Sequence, residues 1–238
     1  DKSLNYKIED LVMTGAVNPH LVGFENVTGT KGNDWLMGDA NANVLRGGDG
    51  NDYLSGTSKS FNTDGGGDTL YGGAGIDKAD YFWVTTGIKA SLMTGKVELA
   101  NGKFDQLYEI EDIGGSSSDD IIQGDGGANK LNGGSGDDVI NGEAGNDVLR
   151  GDAGSDTVFG GIGNDEISGG SEEDLLIGGE GNDLLYGDAD TASPGGGNDT
   201  LYGGEGNDTI VGGEGADYLS GGGGNDAFVI WNSDNGND

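Results

Sequence analysis

The chain is organised by a nine-residue alternation of apolar and polar positions. A single apolar residue stands at 122, 131, 140, 149, 158, 167, 176 and 185, and, after a longer step, at 201, 210, 219 and 228. An earlier block carries Leu36, Leu45 and Leu54, then Leu70 and Ala79. Two residues before each of these stands Asp, twice replaced by Asn, and five residues before most of those stands Gly, often doubled. The unit reads G-G-x-G-x-D-x-U-x, with U apolar, and seventeen copies run through the chain. Side chains of a strand alternate between faces, so x-U-x predicts a very short strand with its middle residue pointing inward. G-G-x-G-x-D predicts a tight turn, because Gly enters positive φ without steric cost. Two units make a coil of 18 residues, and stacked coils give two parallel sheets with the U residues between them. One unit alone buries almost nothing, so stability must be collective.

Composition changes the picture in one respect. Of 238 residues 53 are Gly, and 43 acidic residues face 11 Lys and Arg, a formal charge of −32. Such a composition is that of a disordered chain, and only the periodic apolar positions oppose that reading. The same numbers exclude several chemistries. With no Cys and a single His (His20, after Pro19 in an expected surface loop), no disulfide, thiolate nucleophile, Cys/His zinc site or Ser-His-Asp triad can be built. Neither H-E-x-x-H nor G-x-S-x-G occurs, so no catalytic residue is expected and any catalysis would belong to another domain. Nucleic acid would be repelled, and no apolar run reaches the roughly 18 residues of a membrane span. The chain does not begin with Met and shows no signal peptide, and is expected to be a piece of a larger protein.

The repeated unit resembles the RTX (repeats-in-toxin) calcium-binding nonapeptide of the hemolysin type. The resemblance implies an all-β fold, a right-handed parallel β-roll with 18-residue coils. It also implies Ca²⁺ between turns of adjacent coils on one edge, held by loop carbonyls and by Asp carboxylates 18 residues apart. Ca²⁺ takes six to eight oxygens at about 2.3–2.6 Å and accepts carbonyls readily, which suits these turns. One edge of the second block carries Asp120, Asp138, Asp156, Asp174, Asp199 and Asp217; the other carries Asn129, Asp147, Asp165, Asp183, Asp208 and Asp226. The first block has Asp34, Asp52 and Asp77 on one edge, Asn43 and Asp68 on the other. The spaces between neighbours on these edges set a ceiling of about a dozen ions. End sites and those using Asn43 or Asn129 are expected to be weaker, because Asn brings no charge.

The resemblance further implies a structural calcium-binding module of a secreted bacterial protein. Such a protein is exported unfolded by type I secretion and folds on calcium outside the cell or at its surface. Its partners would be calcium ions and neighbouring domains of the parent, with the module itself a monomer. Two other readings stand beside this one. The chain could be an adhesive or ligand-binding module of a surface adhesin, with Tyr81, Phe82 and Trp83 as contact candidates. It could equally be the non-catalytic C-terminal module of a secreted protease, lipase or polysaccharide epimerase.

Several segments break the pattern. Residues 81–114 alternate apolar and polar positions, with turn signals at Thr94-Gly95 and Asn101-Gly102, and predict a small antiparallel β excursion. Residues 1–28 echo it, with Ile8 and Met13-Thr14-Gly15 matching Ile88 and Met93-Thr94-Gly95. The expected organisation is therefore an excursion over 1–28, a first roll over 29–80, an excursion over 81–114, a second roll over 115–229, and a cap and truncated tail over 230–238. Phe228, Val229, Ile230 and Trp231 are the capping candidates. The longer steps from Asp52 to Asp68 and from Asp183 to Asp199 predict surface loops bulging from a continuing stack. Ser118 and Glu172 stand where the turn has Gly, so those two turns are expected to deviate. Finally, Ile121, Val139, Phe159, Leu175, Ile177, Tyr202 and Tyr218 are outward-facing apolar positions, a surface on which the excursion or a neighbouring domain is expected to dock.

Overall fold

A computed structural model describes residues 11–12, 20–22, 26–57, 66–188 and 196–229. Among these residues there is no helix; the strands form one sheet of thirteen and one of eleven. Outside residues 89–108 the chain alternates between the sheets, and each strand pairs in parallel with the strand one coil away. In the thirteen-stranded sheet Ile122, Ile140, Val158, Leu176, Leu201 and Leu219 lie in one register. In the other, Leu131, Leu149, Ile167, Leu185, Ile210 and Phe228 do the same. These residues meet between the sheets as one continuous core, and most are wholly removed from water. Burying each such side chain contributes about 1.5–3 kcal/mol, so the stack gains with every coil. This is the all-β parallel roll.

Most repeat strands are longer than the expected three residues. Val139–Ala144 and Thr157–Ile162 run on through the next unit's glycines, pairing Glu143 with Gly161 as well as Ile140 with Val158. The reason is close stacking of turn on turn. At Gly163 (φ 139°) an added Cβ would overlap the carbonyl oxygen of Gly145 one coil back. The turns therefore lie flat on one another with their carbonyls aimed at the neighbouring coil.

The two blocks of repeats are one uninterrupted stack. In the eleven-stranded sheet Lys78–Asp80 pairs with Asp112–Gly114, which pairs with Lys130–Ser135. In the other sheet Lys89–Ser91, Lys96–Glu98 and Phe104–Tyr108 form an antiparallel set inserted between Thr69–Ala74 and Ile121–Gln123. Turns at Gly95 (φ 63°) and Gly102 (φ 78°) reverse the chain. Ala90, Val97 and Leu107 are buried in the common core. This set is part of the wall and does not dock on the outward face: Ile121 is 48% and Tyr218 57% exposed.

The expectations for residues 1–28 and for His20 are corrected. The described strands within 1–28 pair in parallel, Leu11–Val12 with Asn26–Thr28 and His20–Val22 with Trp35–Met37. They continue the stack, since the chain crosses from one sheet to the other here as in a coil. His20 accordingly lies in a strand, opposite Trp35, and not in a loop. The stack also continues past both longer steps, with Leu45 against Leu70 and Leu176 against Leu201; the insertions at 58–65 and 189–195 lie outside the described residues. Phe228 is 47% exposed although its register is inward, and Ile230 and Trp231 lie outside the described residues.

Glu172 takes the left-handed conformation that Gly would (φ 79°), and bridges to Gly196, so its turn keeps the shape of the others. Such a conformation costs a non-Gly residue about 1–3 kcal/mol. Glu172→Gly is expected to raise stability in saturating calcium by about 1 kcal/mol, read from the urea midpoint. An unchanged or lowered midpoint would show that the side chain compensates for its backbone.

Candidate metal centre

The repeat Asp stands two residues before the inward apolar residue, at the corner where the turn enters the strand. Its short side chain folds back over its own turn and reaches the coil before it. The backbone N–H of Asp120 donates to Asp138 Oδ1 (2.7 Å), that of Asp138 to Asp156 (2.7 Å), and that of Asp156 to Asp174 (2.7 Å). The row continues through Asp199 and Asp217. The opposite corner repeats the pattern from Asn129 through Asp147, Asp165, Asp183 and Asp208 to Asp226 at 2.8–3.1 Å. In the first block Asp34 donates to Asp52 and Asp52 to Asp77, while Asn43 donates to Asp68, all at 2.7 Å. All seventeen residues singled out from the repeat therefore lie in corner rows.

Two members of the rows escaped the repeat pattern. Asp68 N–H donates to Asp105 Oδ1 (2.7 Å) and Asp77 N–H to Glu111 Oε2 (2.8 Å). The Asn129 amide in turn donates to the Glu111 carbonyl (2.9 Å), so Glu111 links the Asp34 row to the Asn129 row. The available signal was small: each acid stands two residues before a buried apolar residue, Leu107 or Ile113, but without the glycines. The other row is interrupted, since the inserted strands stand between Asp105 and Asp120, and Ile88 N–H donates to Asp120 instead.

The second carboxylate oxygen defines the site. Oδ2 of Asp52, Asp68, Asp77, Asp138, Asp147, Asp156, Asp165, Asp174, Asp183, Asp199 and Asp208 is buried with no hydrogen-bond donor. Each of these residues is at most 4% exposed. Oδ2 turns toward the first Gly of its own turn, where the carbonyl of the equivalent Gly one coil on also arrives. A Cβ built on Gly160 would stand 2.5 Å from both Asp165 Oδ2 and Gly178 O; on Gly142 it would stand 2.5 Å from Asp147 Oδ2 and 2.6 Å from Gly160 O. Acceptors converge here without a donor, an arrangement that is costly unless a cation joins it. No three acidic or imidazole side chains meet among the described residues, so most donors would be main-chain carbonyls. An all-oxygen, carbonyl-rich set suits a hard, flexible ion such as Ca²⁺.

The remaining row members differ in detail. Both oxygens of Asp34 accept hydrogen bonds from Thr30, and both oxygens of Asp120 accept from Ser116. Asn43 Oδ1 accepts the Asp39 N–H and Asn129 Oδ1 the Asp125 N–H, both at 2.9 Å. Asp217 and Asp226, in the last coil, are partly open to water. Of the expected ligand-contact aromatics, Tyr81 is buried in the core, while Phe82 is exposed and packs edge-on against Trp83.

Burial pushes most of the row carboxyls above their usual range. Asp156 is raised to about 6, Asp138 and Asp199 to about 7, and Asp174 to about 8. Backbone N–H donation opposes the shift, and neighbouring carboxylates of the same corner add to it. With folded values above the unfolded value of 3.8, the folded state holds more protons between about pH 4 and 8. Stability without metal must then fall as pH rises through that window. The calcium-stripped chain is expected to show more β-structure at pH 5 than at pH 8 by circular dichroism; the reverse order would contradict the burial of these carboxyls.

Stacked parallel coils with acceptor oxygens at their corners define a calcium-binding β-roll. The family model for the RTX calcium-binding nonapeptide repeat matches residues 26–58, 61–79, 114–149, 133–167, 141–176, 159–191 and 193–228. These segments cover well over half of the chain, which belongs to that family, and repeats of this kind bind Ca²⁺. No curated protein matches the chain.

Proposed function

We propose that the chain is a structural module of a secreted RTX protein, reaching its fold only where calcium is abundant. The observation that carries this reading is the row of buried Asp Oδ2 atoms without donors. The ligands would be Asp52, Asp68, Asp77, Asp138, Asp147, Asp156, Asp165, Asp174, Asp183, Asp199 and Asp208, with turn carbonyls of adjacent coils. Asp34 and Asp120, whose carboxylates Thr30 and Ser116 already satisfy, Asn43 and Asn129, which lack the charge, and the terminal Asp217 and Asp226 would bind more weakly. Bound Ca²⁺ supplies positive charge between acceptor oxygens that otherwise repel.

The chain's own residues do the rest. The glycines let the turns approach, Oδ1 of each Asp fixes the spacing of the coils, and the inward apolar residues join the two sheets. Export in an unfolded form by type I secretion is supported by the same features, since a chain at −32 without Cys has little to fold it before calcium is met. The reading makes the module extracellular or cell-surface, monomeric and non-catalytic. Equilibrium dialysis against calcium tests it: several ions per chain, up to about a dozen, are expected. One ion, or none, would contradict the corner rows as binding sites.

A further inference from the structure

The outward face of the thirteen-stranded sheet carries a long uncharged strip. Twelve outward positions on the six strands from Ile121–Gln123 to Tyr218–Gly223 carry no charged side chain, in a protein where 23% of residues are charged. The other sheet carries charge on the first strands of its equivalent rows, at Asp112, Lys130, Arg150 and Glu166, and only its last strands, with Leu184, Tyr186, Thr209 and Val211, are uncharged. The uncharged face mixes aliphatic groups, rings and hydroxyls: one row runs Thr157, Leu175, Thr200, Tyr218 and the other Phe159, Ile177, Tyr202, Ser220. Tyr202 and Tyr218 lie with ring centres 5.7 Å apart, tilted by 56°, and both are exposed. The nearest carboxylate, Glu143, is occupied at one end of the face by the amides of Gln123 (2.5 Å) and Asn141 (2.9 Å).

We propose that this strip binds a neutral linear polysaccharide lying along the axis of the roll. Its dimensions choose the occupant. Six strands spaced about 4.8 Å apart make a strip about 24 Å long, and its two rows are about 7 Å apart. Its area of about 170 Å² is well short of the roughly 800 Å² per partner of a stable protein interface, which disfavours a second copy. An added peptide strand needs a free sheet edge, and this strip lies on the face of paired strands, where no main-chain group is available. A membrane surface would need basic residues, and the strip has none. A long, narrow, uncharged surface suits an extended glycan. Apolar faces of the sugars would lie on the rings, as apolar surfaces prefer, and their hydroxyls would reach Thr157, Thr200 and Ser220. Charge selects in the same sense: the exposed Glu180 and Glu205, which end strands of this sheet and are not corner ligands, would repel a polymer carrying carboxylates or sulfates, and would not repel a neutral one.

Affinity electrophoresis of the calcium-loaded full chain, in native gels cast with dextran, amylose, galactomannan or hydroxyethylcellulose, tests the proposal. Retardation by at least one of these neutral polymers is expected, with none by polygalacturonate. The pair Tyr202→Ala and Tyr218→Ala should weaken retention about tenfold or more, and Thr157→Glu should abolish it. Lys130→Ala, on the opposite sheet, should leave it unchanged. Circular dichroism in calcium confirms that each variant is folded. No retardation by any of the four polymers, or retention indifferent to the tyrosines, would overturn the assignment. So would a dimer seen by light scattering that the tyrosine substitutions dissociate, since that would give the strip to a second copy.

Discussion

Stripped of calcium at neutral pH, the chain is expected to lose its β-structure, and to regain it in a steep transition as calcium is raised toward millimolar concentration. The magnitudes favour this outcome. Eleven buried Oδ2 atoms have no donor, and leaving a buried acceptor unsatisfied costs about 1–3 kcal/mol each. Their sum, about 11–33 kcal/mol, equals or exceeds the roughly 5–15 kcal/mol by which a typical domain is stable. Neighbouring carboxylates in a row add repulsion, about 3 kcal/mol for two unit charges a strand spacing apart at an effective dielectric constant near 20. Protonation relieves part of this, which is why the loss is greatest at high pH. The transition should be steep because each coil is a wall of the sites on both sides of it, so occupying one space orders two turns. Circular dichroism during a calcium titration reads both features; β-content unaltered by a chelator would sink calcium-driven folding.

Asp165→Ala and Glu166→Ala remove one negative charge each from adjacent residues, and opposite outcomes are expected. Asp165 is 1% exposed; its Oδ1 accepts the Asp147 N–H (2.9 Å), and its Oδ2 lies at the corner beside Gly160 and Gly178 O. Truncation leaves a buried N–H without an acceptor and removes an oxygen from the space between two coils. The cost is expected at about 3 kcal/mol or more, read as a several-fold higher calcium midpoint and a lower ion count. Glu166 points outward, is half exposed, and approaches Arg150 only at 4.0 Å. Its loss should change stability by less than about 0.5 kcal/mol. Asp165→Asn should fall between the two, since an amide oxygen can still accept the Asp147 N–H while the charge is gone. Equal effects of Asp165→Ala and Glu166→Ala would mean that net charge, and not the corner geometry, governs calcium dependence.

Much of this was legible in the chain itself. The nine-residue period placed the inward residues Leu149, Val158 and Ile167 on alternate sheets, and it identified every Asp of the rows that follows a Gly-rich turn. That worked because a nonapeptide is a local unit, whose turn and strand are set by backbone preferences within nine residues. Glu172 shows the limit of such local rules: the stacked neighbours hold its backbone at positive φ against its own preference. Asp34 and Asp120 show another. They carry the same letter as Asp52 and Asp138, but Thr30 and Ser116 occupy the oxygens that are open in the others.

By itself, then, the sequence determined the coil, its core positions and the corner chemistry of each repeat, because all three depend on residues close in the chain. Only the tertiary structure decided that the two blocks share one stack, that residues 89–108 are built into its wall, and that Asp105 and Glu111 complete the corner rows. Those outcomes rest on contacts between Asp68 and Asp105, 37 residues apart, and between Asp77 and Glu111, 34 residues apart. A hairpin inserted between two coils sets those distances in place of the repeat, and no nine-residue signature can encode them.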